Sequence, residues 1–302
     1  MARFLRNLPL LLAASVALSG VVVAAPKKKP VTRVTPKAAP ATPPPAAPGE
    51  LPLYAEGAIV IDAFTGETLY EKNADVRYYP ASTTKVMTAL LIIEAGDLDR
   101  EVEITEEDSR VGESGLDIKP GERYSRAQML RGLMLKSAND VAHALGRDNA
   151  GSMAEFALKM TIRAKELGAP NTSFRNPHGL HHPEHYTTAR DLATIARAAM
   201  QQPLFRQIIV TPIFNWPAAT GPRPLANRNK LLAQFPGCTG IKTGFTNPAQ
   251  HTFVGGALRG GREVISAVLR DTRQGKWDDS MLLLSYGLQR LIDAPSAPTA
   301  AQ

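Results

Sequence analysis

Strand-like patterning stands at both ends of the chain, and this decides which architectures remain open. Gly57-Ala-Ile-Val-Ile-Asp-Ala-Phe-Thr-Gly-Glu-Thr-Leu-Tyr70 alternates apolar and polar residues around Thr65-Gly66, the pattern of a β-hairpin. Towards the other end, Gln207–Pro212, Gly240–Thr243, Thr252–Leu258 and Glu263–Leu269 have strand character, with Gly260-Gly261 as a hairpin turn between the last two. The middle reads differently. A helical run starts near Ser82, just after Pro80, and continues through Val86, Met87, Ala89, Leu90 and Ile93. Residues 126–203 are helix-rich, and Thr188-Ala-Arg-Asp191 is a capping signal for a helix that runs to Met200. A last amphipathic helix spans Trp277 to Ile292. Strands first and last, with helices between, imply an α+β fold in which the two ends pair in one antiparallel sheet flanked by helices, with a helical middle region.

Of the 302 residues, 44% are apolar, which supports a sizeable core and excludes a mostly disordered chain. The single cysteine, Cys238, excludes an intramolecular disulfide and any Cys-based metal cluster. The net charge of +7 does not indicate nucleic acid, because residues 1–50 hold seven bases and one acid while residues 51–302 hold 28 bases and 27 acids. Residues 1–24 read as a signal peptide: Arg3 and Arg6 precede an apolar run from Leu8, and Val22 and Ala24 suit the cleavage site. Export is expected, to the periplasm or the outer face of the cytoplasmic membrane. An uncleaved leader would instead give an N-terminal membrane association. Residues 25–50 form a Pro/Ala/Lys-rich spacer, the folded domain is expected over 51–293, and residues 294–302 form a disordered tail.

Three short motifs carry chemistry. Ser82-Thr-Thr-Lys85 puts a hydroxyl and an amine three positions apart, on one helix face. A serine hydroxyl becomes a nucleophile only when a base takes its proton. Lys85 can be that base if burial, neighbouring cations and the helix N-terminus disfavour its charge. In isolation the pair reads instead as an N-cap serine and a solvated lysine. Ser137-Ala-Asn139 falls where one helical segment gives way to another, so the serine can shuttle a proton and the asparagine can hold a substrate amide, or both can serve as caps. Lys242-Thr243-Gly244 sits on a strand. The lysine and threonine suit an anionic group and the glycine leaves room at the strand edge, although an exposed edge lysine is also a common guard against aggregation.

The histidines point elsewhere. His178, His181, His182, Glu184 and His185 crowd one segment, but Pro183 breaks helical spacing, so a polar loop is expected and no metal site. His143 and His251 stand alone and read as structural.

Order, spacing and flanks of the three motifs resemble those of the serine-type D-alanyl-D-alanine carboxypeptidases, the low-molecular-mass penicillin-binding proteins. The resemblance rests on Tyr79-Pro-Ala-Ser-Thr-Thr-Lys-Val-Met-Thr-Ala-Leu90, Leu135-Lys-Ser-Ala-Asn-Asp-Val-Ala-His-Ala-Leu145, Asn176-Pro-His-Gly-Leu180 with His185-Tyr-Thr-Thr-Ala-Arg-Asp-Leu-Ala193, and Gly237-Cys-Thr-Gly-Ile-Lys-Thr-Gly-Phe-Thr246. It implies a β-lactamase/transpeptidase-like fold, with Ser82 as acyl-enzyme nucleophile and Lys85 as proton acceptor. Ser137 and Asn139 would complete the proton network and position the substrate, and Lys242 and Thr243 would hold a terminal carboxylate beside Gly244. The N–H groups of Ser82 and Phe245 would form the oxyanion hole. The implied substrate is the D-Ala-D-Ala end of a peptidoglycan stem peptide, with β-lactams as covalent inhibitors and no metal or organic cofactor. Gln250 and Lys276 depart from the family pattern, which has Gly and Arg there. Rival readings are a D,D-endopeptidase on cross-links, a class A-like β-lactamase, against which Ser-Ala-Asn speaks, and an inactive wall-binding module.

Overall fold

The structure is a computed structural model that describes residues 49–293. The expected leader (1–24), most of the spacer (25–50) and the tail (294–302) lie outside the described residues. In chain order the elements are strands β1 (Gly57–Asp62) and β2 (Thr68–Lys72), a 3-10 turn (Ala81–Thr84), helix α1 (Lys85–Ala95), β3 (Glu101–Glu103), α2 (Glu106–Ser109), β4 (Arg123–Ser125), α3 (Arg126–Arg131) and a π-helical turn (Gly132–Lys136). There follow α4 (Asn139–Ala150), α5 (Met153–Glu166), α6 (Ala189–Met200), α7 (Pro203–Ile209), β5 (Ile213–Ala218), β6 (Gly221–Ala226) and α8 (Leu231–Gln234). Strands β7 (Cys238–Thr246), β8 (Gln250–Arg259) and β9 (Arg262–Asp271) precede the closing helix α9 (Gly275–Asp293).

The first and last strands of the described residues pair as expected. The main sheet has the order β2-β1-β9-β8-β7 and every pairing is antiparallel, so β1 lies against β9 with Ala58 opposite Val268 and Val60 opposite Ser266. Successive side chains of a strand point to opposite faces. Here Ile59, Ile61, Val254 and Ile265 enter one core with Val86, Leu90 and Ile195, while Ala58, Val60, Phe253 and Val264 enter another with Leu284, Leu288 and Trp277. The sheet is therefore covered on both faces, by the helical middle on one side and α9 on the other. The central strands β1, β8 and β9 are for that reason buried in continuous runs, where the pattern over 57–70 had indicated alternation.

The α6 cap forms as its sequence indicates: Asp191 N donates to Thr188 Oγ1 at 3.0 Å. The strand expected over Gln207–Pro212 does not form. Pro203 opens helix α7 instead, because its ring pre-sets a helical φ and its missing N–H costs nothing in the first turn. Phe205, Ile208 and Ile209 are then buried together at helical spacing. The strand begins at Ile213 and pairs with β6 in a separate two-stranded ribbon that accommodates Pro217 opposite Pro222. This ribbon was hidden in the sequence by its prolines.

Candidate active site

The nucleophile motif sits on a strained turn. Pro80 ends the extended segment, and Ala81 adopts φ +50, a left-handed conformation that a residue with a Cβ takes only under constraint. The constraint is visible. Pro80 O accepts bonds from Thr83 N (3.3 Å), Thr83 Oγ1 (2.7 Å) and Thr252 Oγ1 (2.9 Å), which ties the turn to itself and to β8. Two glycines let neighbouring backbone approach. A Cβ on Gly179 would fall 1.9 Å from Ala81 O, and one on Gly244 would fall 2.9 Å from Ser82 N. The free edge of β7 thus lies directly against the start of the nucleophile turn.

Lys85 opens α1 and is fully buried. Its Nζ lies 3.1 Å from Ser82 Oγ, 2.7 Å from Asn139 Oδ1 and 2.5 Å from His178 O. Burial holds its pKa well below the ordinary lysine value, and the nearby charges of Lys242 and Arg228 push the same way. A neutral amine has two N–H donors and one lone pair. The two oxygens with no hydrogen to give, Asn139 Oδ1 and His178 O, accept the donors. In the neutral form the lone pair is left for Ser82 O–H, the hydroxyl within hydrogen-bond distance among the described residues.

The second motif is brought to the same place. Ser137 follows the π-helical turn at φ +65, and its buried Oγ has no hydrogen-bond partner among the described residues. Asn139 is the first residue of α4. Besides accepting from Lys85, it donates from Nδ2 to Gly112 O at 3.0 Å. One Nδ2 hydrogen is left over, and the side chain also lines the cleft, where the resemblance has it position substrate. In this structure it orients the lysine.

The third motif lies on the edge strand β7. Lys242 is buried rather than exposed; its Nζ donates to Thr243 O at 2.9 Å, and burial with the Arg228 charge lowers its pKa to about 7. Thr243 and Gly244 face a cleft of about 310 Å³ together with Ser82, Ser137, Asn139 and Arg228. All eight residues singled out from sequence, Ser82, Lys85, Ser137, Asn139, Lys242, Thr243, Gly244 and Phe245, line this cleft or border it in the chain or by hydrogen bond.

The family profile described as D-alanyl-D-alanine carboxypeptidase matches residues 43–273. The chain belongs to peptidase family S11, the D-alanyl-D-alanine carboxypeptidases. It is 37% identical over 235 residues to the D-alanyl-D-alanine carboxypeptidase DacB2 of Mycobacterium tuberculosis, covering 76% of this chain and 80% of that one. With DacF of Bacillus subtilis the identity is 36% over 225 residues, and the match spans 58% of that longer relative. The crystal structure of a D-alanyl-D-alanine carboxypeptidase from M. tuberculosis superposes with a TM-score of 0.76 at 36% identity, over 80% of this chain and 94% of that one. The Streptomyces K15 DD-transpeptidase gives 0.74 at 33% identity, over 78% and 98%. The fold is accordingly that of the penicillin-binding DD-peptidases.

Several residues of this S11 cleft escaped sequence reasoning. Arg228, in Asn227-Arg-Asn229, lines the cleft and adds its charge to the burial that depresses both lysines, yet no local pattern marks it. Glu113 lines it too, at φ +68. His251, read as structural, is also in the cleft: it stacks on Phe245 with ring centroids 4.5 Å apart, and its Nδ1 lies 2.9 Å from Lys276 Nζ. His185 is not part of a solvated loop but 2% exposed. Its Nδ1 accepts from Arg175 N at 3.2 Å, which leaves the proton on Nε2 to donate to Thr84 Oγ1 at 2.8 Å. The histidine thus props the nucleophile turn from behind. His143 is structural as expected, 2.8 Å from Asp108 Oδ1. Among the described residues no group of three or more His, Cys, Asp or Glu side chains is placed to hold a metal, and no helix is long and apolar enough to cross a membrane.

Proposed function

We propose that this protein is an exported serine D-alanyl-D-alanine carboxypeptidase that trims the terminal D-Ala from peptidoglycan stem peptides through an acyl-enzyme on Ser82. One observation carries the assignment of roles. Lys85 is buried among cations with both donors taken, and its lone pair is left for Ser82 Oγ at 3.1 Å. That is a general base poised on a nucleophile.

Lys85 accepts the Ser82 proton as Oγ attacks the carbonyl carbon of the penultimate D-Ala. The Oγ–C bond forms, and the negative charge on the carbonyl oxygen is met by the N–H groups of Ser82 and Phe245, on the two backbones that Gly244 allows to approach. The C–N bond then breaks, and the proton passes from Lys85 to the departing amine, with the unpartnered Ser137 hydroxyl as relay. Water attacks the ester in the second half, again with Lys85 as base, and Ser82 recovers its proton. The leaving residue's carboxylate is held by Thr243, with the positive charge of Lys242 behind it. β-Lactams present a comparable carbonyl and carboxylate and acylate the same serine.

Export and a cell-envelope location rest on the basic and apolar leader at residues 1–24. Fractionation that left the protein in the cytosol would remove that part. The activity is tested by D-Ala release from an acyl-D-Ala-D-Ala peptide, and the nucleophile by a fluorescent penicillin. Wild type releases D-Ala and keeps the label, whereas Ser82→Ala does neither and unfolds at the same temperature. Labelling that survives in Ser82→Ala refutes the role of this serine, and rapid catalytic destruction of the penicillin points to a β-lactamase.

A further inference from the structure

A second recess of about 360 Å³ opens beside the catalytic cleft, and Arg228 lines both. The chain confirms that they adjoin. Ser114 and Ser137 line the cleft, while their neighbours Gly115 and Lys136 line the recess. Three cations, Lys136, Arg223 and Arg228, share its wall with one acid, Asp117.

That acid does not neutralise them. Asp117 Oδ2 is 3.9 Å from an Arg223 nitrogen and its side chain is 81% exposed, a separation and exposure at which an ion pair contributes little. The other Arg223 contacts are partial. One terminal nitrogen donates to Leu116 O at 2.7 Å, and Nε is shielded from solvent with no acceptor among the described residues. Among the described residues Lys136 and Arg228 form no ion pair. Three like charges around one recess repel one another, and a bound anion relieves that repulsion. The planar fork of an arginine suits a carboxylate.

Resting on the carboxypeptidase reading above, we propose that this recess binds a second carboxylate of the peptide substrate, one carried on a residue outside the terminal D-Ala-D-Ala. The terminal carboxylate is held on β7 and has no need of Lys136 or Arg223. The recess therefore selects for stem peptides with a free acid on an upstream residue over those in which that acid is an amide or is replaced by an ammonium group.

Three peptides ending in D-Ala-D-Ala test this, differing only in whether an upstream side chain ends in a carboxylate, its carboxamide or an ammonium. Wild type should use the free acid ~10-fold better than the carboxamide, the size of one charge-assisted hydrogen bond, with the difference in KM and not in kcat. Added salt should shrink it. Lys136→Gln and Arg223→Gln should bring the ratio to about one and leave carboxamide turnover unchanged. Lys136 is the cleaner site, because Arg223 also holds Leu116 O. Equal use of acid and carboxamide by wild type overturns the proposal, as does an equal loss on all three peptides in Lys136→Gln. Calorimetric binding to Ser82→Ala separates this from the assigned activity. A binding preference for the acid that Lys136→Gln abolishes, with no D-Ala release by wild type, sinks the carboxypeptidase reading and keeps the recess. Release without any binding preference does the reverse.

Discussion

Gly179→Ala tests whether backbone contact, rather than the motif residues alone, positions the nucleophile. Gly179 stands at φ +86, and a Cβ there would fall 1.9 Å from Ala81 O, 2.4 Å from Ala81 C and 3.0 Å from Ser82 N. All three are backbone atoms, so no rotamer change relieves the overlap, and the loop or the turn must give way by about 1 Å or more. The residue before it, His178, supplies the carbonyl that orients Lys85 at 2.5 Å, so either shift also disturbs the base. A displacement of about 1 Å at a reacting group costs ~10²-fold in rate. The stability loss has two parts: ~1–2 kcal/mol for alanine in a left-handed conformation and ~1–3 kcal/mol for overpacking. Gly168 separates them, since it has φ +85 with nothing within 4 Å of its would-be Cβ. Acylation by a fluorescent penicillin and thermal unfolding are measured for both variants. Gly168→Ala should lose only the conformational part and acylate at the wild-type rate. Gly179→Ala should lose more stability and acylate ~10²-fold more slowly. Wild-type acylation by Gly179→Ala, or equal slowing in Gly168→Ala, would refute the reasoning.

Two predictions concern pH. Lys242, depressed to about 7 by burial and Arg228, is cationic below that value, so kcat/KM for substrates with a free terminal carboxylate should fall as pH rises through about 7. Lys242→Arg keeps the charge and should move this alkaline limb upward, and an unmoved limb would assign the titration to another group. The neutral form of His185 is held by burial, with its pKa lowered to about 3. The folded pKa lies below the unfolded ~6.5, so the contribution of His185 to stability is present above ~6.5 and is lost as pH falls towards 3. His185→Gln should be less stable at neutral pH by ~1–3 kcal/mol and lose less on acidification, and parallel stability–pH curves would contradict this.

Helix α6 and its Thr188 cap were legible because the cap, the period and the burial agree within a dozen residues. The hairpin of β8 and β9 was equally local, marked by Gly260-Gly261. Helix α7 and the β5–β6 ribbon were misread or missed. The segment that contains them has apolar residues at spacings open to either structure, and its prolines suit both a helix start and an isolated ribbon. At the site, the motif residues were legible because each motif is a short string. Arg228 and His251 were not, since each reaches the cleft through partners far off in the chain: Arg228 acts on Lys85 and Lys242, and His251 meets Lys276.

Residue order alone indicated the antiparallel sheet, the covering helices and the motif hydroxyls, amines and amide that gather at the cleft, because periodicity and short motifs are properties of neighbouring residues. What those groups are able to do was decided only by folding. The proposed basicity of Lys85 rests on its burial, on the nearby charges of Lys242 and Arg228, and on a carbonyl from residue 178 and an amide from residue 139 that lie within hydrogen-bond reach of it. The unpartnered Ser137 hydroxyl and the contact of Asn139 with Lys85 have the same origin: protonation and hydrogen-bond state depend on what surrounds an atom in three dimensions, and those surroundings come from segments that the chain order keeps far apart.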